Sequence, residues 1–149
     1  MAFRFPLQAL LRLRQASEDR EKLRLAAIST RLFQRRSLFE ELNQKRQQAG
    51  ADLENLMRSG LLSSEVQFDV LGMQVDSRRL QTLMMEIAKL EQARLTQQNV
   101  YLDAKKKRES LESLRTRQME AYQLVQAKHE QQQVDDLFTT RRNFNTQRK

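Results

Sequence analysis

From Leu25 onward, the positions Leu25, Ile28, Leu32, Arg35, Phe39, Leu42, Arg46, Ala49, Leu53 and Leu56 follow an unbroken alternation of three and four residues. Eight of these ten are apolar. The spacing is that of a coiled-coil seam, which keeps one face of a helix against a partner. Run backwards, the same frame passes through Glu21, Glu18, Arg14, Leu11, Leu7 and Arg4. The opening segment therefore shares its register with the helix behind it, and Arg14, Glu18 and Glu21 form a polar interruption. A second frame begins at Leu80 and continues through Leu83, Ile87, Leu90, Arg94, Gln97, Tyr101, Ala104, Arg108, Leu111, Arg115, Gln118, Tyr122 and Val125. It is the more polar of the two. Its distal half is expected to pack less tightly, or to shift register onto Leu102, Leu114 and Leu124.

Local signals bound these helices. Pro6 suits a first helical turn, where its missing N–H has no intrahelical partner. Gly60 suits a helix end because glycine accepts the left-handed conformation, and Arg58 complements the negative end of the helix dipole. Gly50 lies inside the first pattern and weakens it locally. Ser64 followed by Gln67 resembles a capping box, with Val66, Val70 and Met73 as an apolar face and Gly72 as a possible kink. The expected order is helix one over about 6–58, a connection over about 59–79 holding a short helix, helix two over about 80–139 and a basic tail over 140–149.

Two long helices with a compact connection can fold back on each other. The predicted fold class is all-α: a long antiparallel two-stranded coiled coil, or α-helical hairpin, forming a single domain with both termini at one end. A parallel homodimer of extended chains competes, since heptads alone do not fix orientation. A monomer is expected in preference to it. Pairs at four-residue spacing, such as Glu18 with Lys22, Glu41 with Lys45 and Glu54 with Arg58, add about 0.2–0.5 kcal/mol each to helix formation.

Composition supports long helices over a globular core: 31% of residues are charged, with only three Gly and one Pro in 149. No run approaches the roughly 20 apolar residues of a membrane-spanning helix, so the chain is expected to be soluble. Arg4, Gln8, Arg12 and Arg14 break every candidate secretory core. The acid-free opening up to Glu18 fits a cleavable transit peptide better, yet such a peptide has no reason to keep register with the chain that follows. Without cysteine there are no disulfides or thiolate metal sites, and the single histidine, His129, cannot build the usual metal cluster.

The residues carry no catalytic pattern. No glycine-rich phosphate loop or nucleophile elbow is present. Ser63 and Ser64 are better explained as a helix start, and His129 as a packing or surface residue. Neither enzymatic activity nor a cofactor is expected. Charge is the remaining signal, because the net +8 is concentrated. Lys105, Lys106, Lys107 and Arg108 form one run, with Arg115 and Arg117 beyond it. The acid-free ending LFTTRRNFNTQRK carries Arg141, Arg142, Arg148 and Lys149 beside Phe138 and Phe144. Such patches suit nucleic-acid phosphates, with salt-sensitive binding, or an acidic protein surface. The first offers no recognised binding module, no Trp and only two Tyr. MAFRFPLQALLRLR also fits a peripheral membrane helix, with Phe and Leu inserted and Arg near lipid phosphates.

Phe3, Phe5, Leu7, Leu10, Leu11, Arg14 and Glu18, in the order F-x-F-x-L-x-x-L-L-x-x-R-x-x-x-E, resemble the N-terminal signature of the flagellar export protein FliJ family. The SGLLSSE connection from Ser59 to Glu65, the length and the basic cysteine-free coiled coil agree with it. This resemblance implies a cytoplasmic component of the flagellar type III export apparatus, peripherally associated with the inner membrane at the flagellar base. It also implies an antiparallel coiled coil similar to the central stalk of rotary ATP synthases. The implied partners are the hexameric export ATPase, the membrane-embedded export gate and export chaperones. In that arrangement the end bearing both termini enters the ATPase ring. The candidate contact residues are then the signature positions with Phe138, Arg141, Arg142 and Phe144, and the Lys105 to Arg117 cations form a second docking patch.

Overall fold

The computed structural model describes residues 3–60 and 63–146, without the side chains at 63, 145 and 146. Leu61 and Leu62 of the SGLLSSE connection, and Arg148 and Lys149 of the basic ending, lie outside the described residues. Two helices account for nearly everything described. Helix α1 spans Gln8–Arg58, 51 residues, and α2 spans Ser63–Thr146, 84 residues. They pack against each other as an α-helical hairpin, and no strand occurs among the described residues.

The chain enters α1 through a turn at Pro6, where the Gln8 N–H donates to the Phe5 carbonyl at 3.2 Å. It leaves α1 at Gly60, whose φ of 79° is the left-handed value that side chains with a Cβ resist. Here the Ser59 N–H still reaches the Asn55 carbonyl at 3.2 Å, and the Ser59 hydroxyl donates to the Leu56 carbonyl at 2.9 Å. The sequence places that stop well.

The second helix differs from expectation. No separate short helix stands before Leu80, because α2 is continuous from Ser63, and it carries on past 139 through the anticipated tail to Thr146. The connection shrinks to a few residues. Gly72 does not break α2: a helical glycine costs only about 1 kcal/mol relative to alanine, less than a neighbour-supported helix withstands. Val66, Asp69, Met73 and Asp76 are half-buried and extend the Leu80 frame backwards at the same three-four spacing. Two aspartates at seam positions hid this extension.

Packing divides the chain into two compact units. One comprises Asp19–Leu102. Its core is Leu32, 2% exposed, with Leu80 and Leu83. Its cross-helix partners run antiparallel, since the α2 number falls as the α1 number rises: Gln97 Nε2 donates to Glu21 Oε2 at 2.5 Å, Arg35 pairs with Glu86 at 3.2 Å, and a Cβ at Gly50 would lie 3.6 Å from Met73 Cε. Arg36 also pairs with Glu91.

The other unit comprises Met1–Glu18 with Asp103–Lys149. Phe5 and Leu11 are its buried residues. Along α2, Ala104, Arg108, Leu111, Gln118 and Tyr122 are half-buried as the frame requires, whereas Arg115 and Val125 are exposed. The alternative register is not adopted. Leu114 is exposed, as is Leu124 at 62%. Beyond Gln126 every described residue of α2 is exposed.

Candidate partner-binding surface of the terminal unit

The signature residues divide by role. Leu11, only 1% exposed, fills the seam, and Phe5 is also buried in the same unit. Phe3 packs on Tyr122 of α2, with ring centroids 5.7 Å apart and planes tilted by 49°, a geometry that aromatic quadrupoles favour. Arg14 and Glu18 occupy half-buried seam positions, whereas Leu7 and Leu10 are exposed. Most of the signature thus builds the unit, and only part of it faces outward.

Glu18 meets Arg108. The Arg108 Nε–H donates to Glu18 Oε2, its Nη1 donates to Glu112, and Nη2 lies 3.7 Å from Glu109. The hydrogen bond that Arg108 donates to Glu18 is the main reason the Arg108 pKa lies above its ordinary value; burial works against this, and the three carboxylates add attraction. Among the four-residue pairs expected on the surface, Glu41–Lys45 and Glu54–Arg58 form at 3.5 and 2.7 Å. Glu18 is instead drawn across the seam.

The Lys105 to Arg108 run is therefore not one uniform patch. Arg108 is committed to the seam, and Lys105 is half-buried with Glu109 at 3.9 Å. Lys106, Lys107, Arg115 and Arg117 are exposed. Arg117 shares a shallow surface with Glu109, Glu112 and Glu120, which offset its charge locally.

Arg115 belongs to a different setting. It lines an open cleft with Phe3, Arg4, Phe5 and Arg12. No hydrogen bond or ion pair engages Arg4, Arg12 or Arg115 among the described residues. Three cations converge over an aromatic floor, an arrangement suited to carboxylates on an apolar partner surface. Sequence reasoning missed Arg4 and Arg12. Helical spacing gave no signal for Arg4, which precedes the Pro6 turn and lies outside α1.

The end of α2 presents Phe138 at 67% exposure and Phe144 at 71%, with Val134, Leu137 and Arg141 along the same shallow groove. Arg142 is exposed on the following position. His129 is exposed, and no cluster of metal-ligating side chains occurs among the described residues. No described helix is long and apolar enough to cross a membrane.

No curated protein and no solved structure matches the chain. The family described as Flagellar FliJ protein matches residues 3–149, essentially the whole chain. The chain therefore belongs to the FliJ family, whose members are coiled-coil proteins associated with flagellar export.

Proposed function

We propose that the protein has no catalytic activity of its own and acts as a stalk-like coiled coil. It binds and promotes the hexameric export ATPase, and links that enzyme to the export gate and to export chaperones at the cytoplasmic side of the inner membrane. The observation that carries this proposal is the composition of the terminal unit, which combines the N-terminal signature with the basic second half of α2. Its unpaired Arg4, Arg12 and Arg115 surround Phe3 and Phe5, and Phe138, Arg141, Arg142 and Phe144 form a second exposed surface further along α2.

Such a surface works through contact area and charge. Ring subunits that differ in conformation bind it unequally, and any difference in affinity shifts their populations. Leu11 and the Glu18–Arg108 pair act indirectly, by holding the helices that display the surface.

The test is the hydrolysis rate of the cognate ATPase as the purified protein is added, with ring assembly followed by light scattering. A saturable rise accompanied by ring formation is expected. No change in rate and no binding would overturn the proposal. Steeply salt-dependent oligonucleotide binding would then reassign the basic surface.

A further inference from the structure

The exposed end of α2 carries a second heptad frame. Ala127, Glu130, Val134, Leu137, Arg141 and Phe144 recur at intervals of three, four, three, four and three. All six are exposed. The frame is two residues out of step with the α1-facing seam, which at about 100° per residue puts it on roughly the opposite side of the helix. Glu130 and Arg141 have no ion-pair partner among the described residues, and each stands one position in from an end of this stripe.

The pattern is complementary to its own reversal. When two copies of the stripe are laid antiparallel about a centre between Asp135 and Asp136, Ala127 faces Phe144, Glu130 faces Arg141, and Val134 faces Leu137. Two-fold symmetry makes each match occur twice, as an isologous interface requires. The small residue meets the largest, the branched aliphatics meet in the centre, and each carboxylate meets a guanidinium. In a parallel pair, by contrast, Glu130 would face Glu130 and Arg141 would face Arg141, placing like charges in the seam.

We propose that this stripe is a self-association site, through which two copies of the protein pair antiparallel by the ends of α2. Its short length implies less than the about 1,200 Å² of a stable interface, so the pairing is weak and concentration-dependent. If the same tail also engages the ATPase, as proposed above, the two contacts exclude each other, because Arg141 and Phe144 cannot be covered twice. Pairing then withholds the tail until the ring competes for it.

Sedimentation velocity of the full chain, free of any ATPase, tests the site. The expected result is a monomer–dimer equilibrium with a dissociation constant on the order of 100 µM, weakened at least about tenfold by E130R or by R141E alone. The double exchange E130R/R141E restores dimerisation, because it swaps the charges across the same contact. The chain has no cysteine of its own, so engineered pairs report geometry: a mixture of V134C and L137C proteins forms mixed disulfides faster than either protein forms its own. A strictly monomeric chain overturns the proposal, as does a dimer that the double exchange does not rescue or in which V134C couples best to itself. Because no ATPase is present, none of these outcomes depends on stimulation.

Discussion

Arg108 of α2 donates its Nε–H to Glu18 of α1 within the terminal unit, and its Nη1 turns back to Glu112 on its own helix. Both partners occupy seam positions that leucine would normally fill. In a parallel homodimer Glu18 would face another Glu18, and Arg108 another Arg108. The pair therefore favours the antiparallel arrangement through charge, at some cost in apolar contact.

Glu18→Gln or Arg108→Met should each lower unfolding free energy by about 1.5–3 kcal/mol, the usual worth of a hydrogen bond to a charged group. Urea denaturation followed by circular dichroism measures this. Replacing both by leucine should leave stability equal or higher while permitting parallel association. A double-leucine protein as unstable as the single variants would deny the pair its part in orientation.

Arg94 stands at a seam position with its Nε buried and without a hydrogen-bond partner. An unsatisfied buried polar group costs about 1–3 kcal/mol. Arg94→Leu should therefore raise the thermal midpoint, and an unchanged or lower midpoint would mean that water or rearrangement satisfies the group.

The three glycines should behave differently. A Cβ at Gly50 would sit 3.6 Å from Met73 Cε, an ordinary contact, and one at Gly72 would meet nothing within 4 Å. Gly50→Ala and Gly72→Ala should each stabilise by about 0.5–1 kcal/mol. Gly60 has open space as well but a φ of 79°, so Gly60→Ala should destabilise by about 1–2 kcal/mol. Chemical denaturation of the three single variants gives the order directly.

Seam register can be tested by leucine truncation. Leu32→Ala should cost about 2–5 kcal/mol, as a buried leucine does, whereas Leu124→Ala should change stability by no more than about 0.5 kcal/mol. Comparable losses at both sites would place Leu124 in a core that the hairpin does not give it.

Arg12→Glu combined with Arg115→Glu should reduce ATPase stimulation at least about tenfold, since charge reversal at a complementary contact costs several kcal/mol. The helical circular dichroism signal should be unchanged. Arg141→Glu with Arg142→Glu should also weaken stimulation; an unaffected rate would make the tail a bystander. Reversal of Lys106 and Lys107 serves as a control for overall charge.

The seam was largely legible because its leucines repeat at three-four intervals and survive polar substitutions at Arg35, Arg46, Arg94 and Arg108. Gly60 was legible for a different reason, its unique freedom at positive φ. The start of α2 was legible too, at Ser63 and Ser64; its continuity into the Leu80 frame was not, since Asp69 and Asp76 occupy seam positions where apolar residues would have announced an unbroken helix. The cleft was hidden as well. Arg4 and Arg12 look like solvated charges until Arg115, more than a hundred residues later, is brought beside them by antiparallel pairing. Orientation itself lay in the opposite charges of Glu18 and Arg108, which act only once the two helices meet.

The unequal lengths of α1 and α2 have a kinetic consequence. Past Gln126 every described side chain of the second helix is exposed, and because most helical stability in proteins comes from tertiary packing, this segment is held less firmly than the rest. Helix–coil relaxation there takes about 0.1–1 µs. Any partner that grips the segment must suppress that melting, and part of the contact energy is consumed in ordering it. The reward is rapid release: a tail that melts in microseconds can detach turn by turn, and so need never become a permanent anchor.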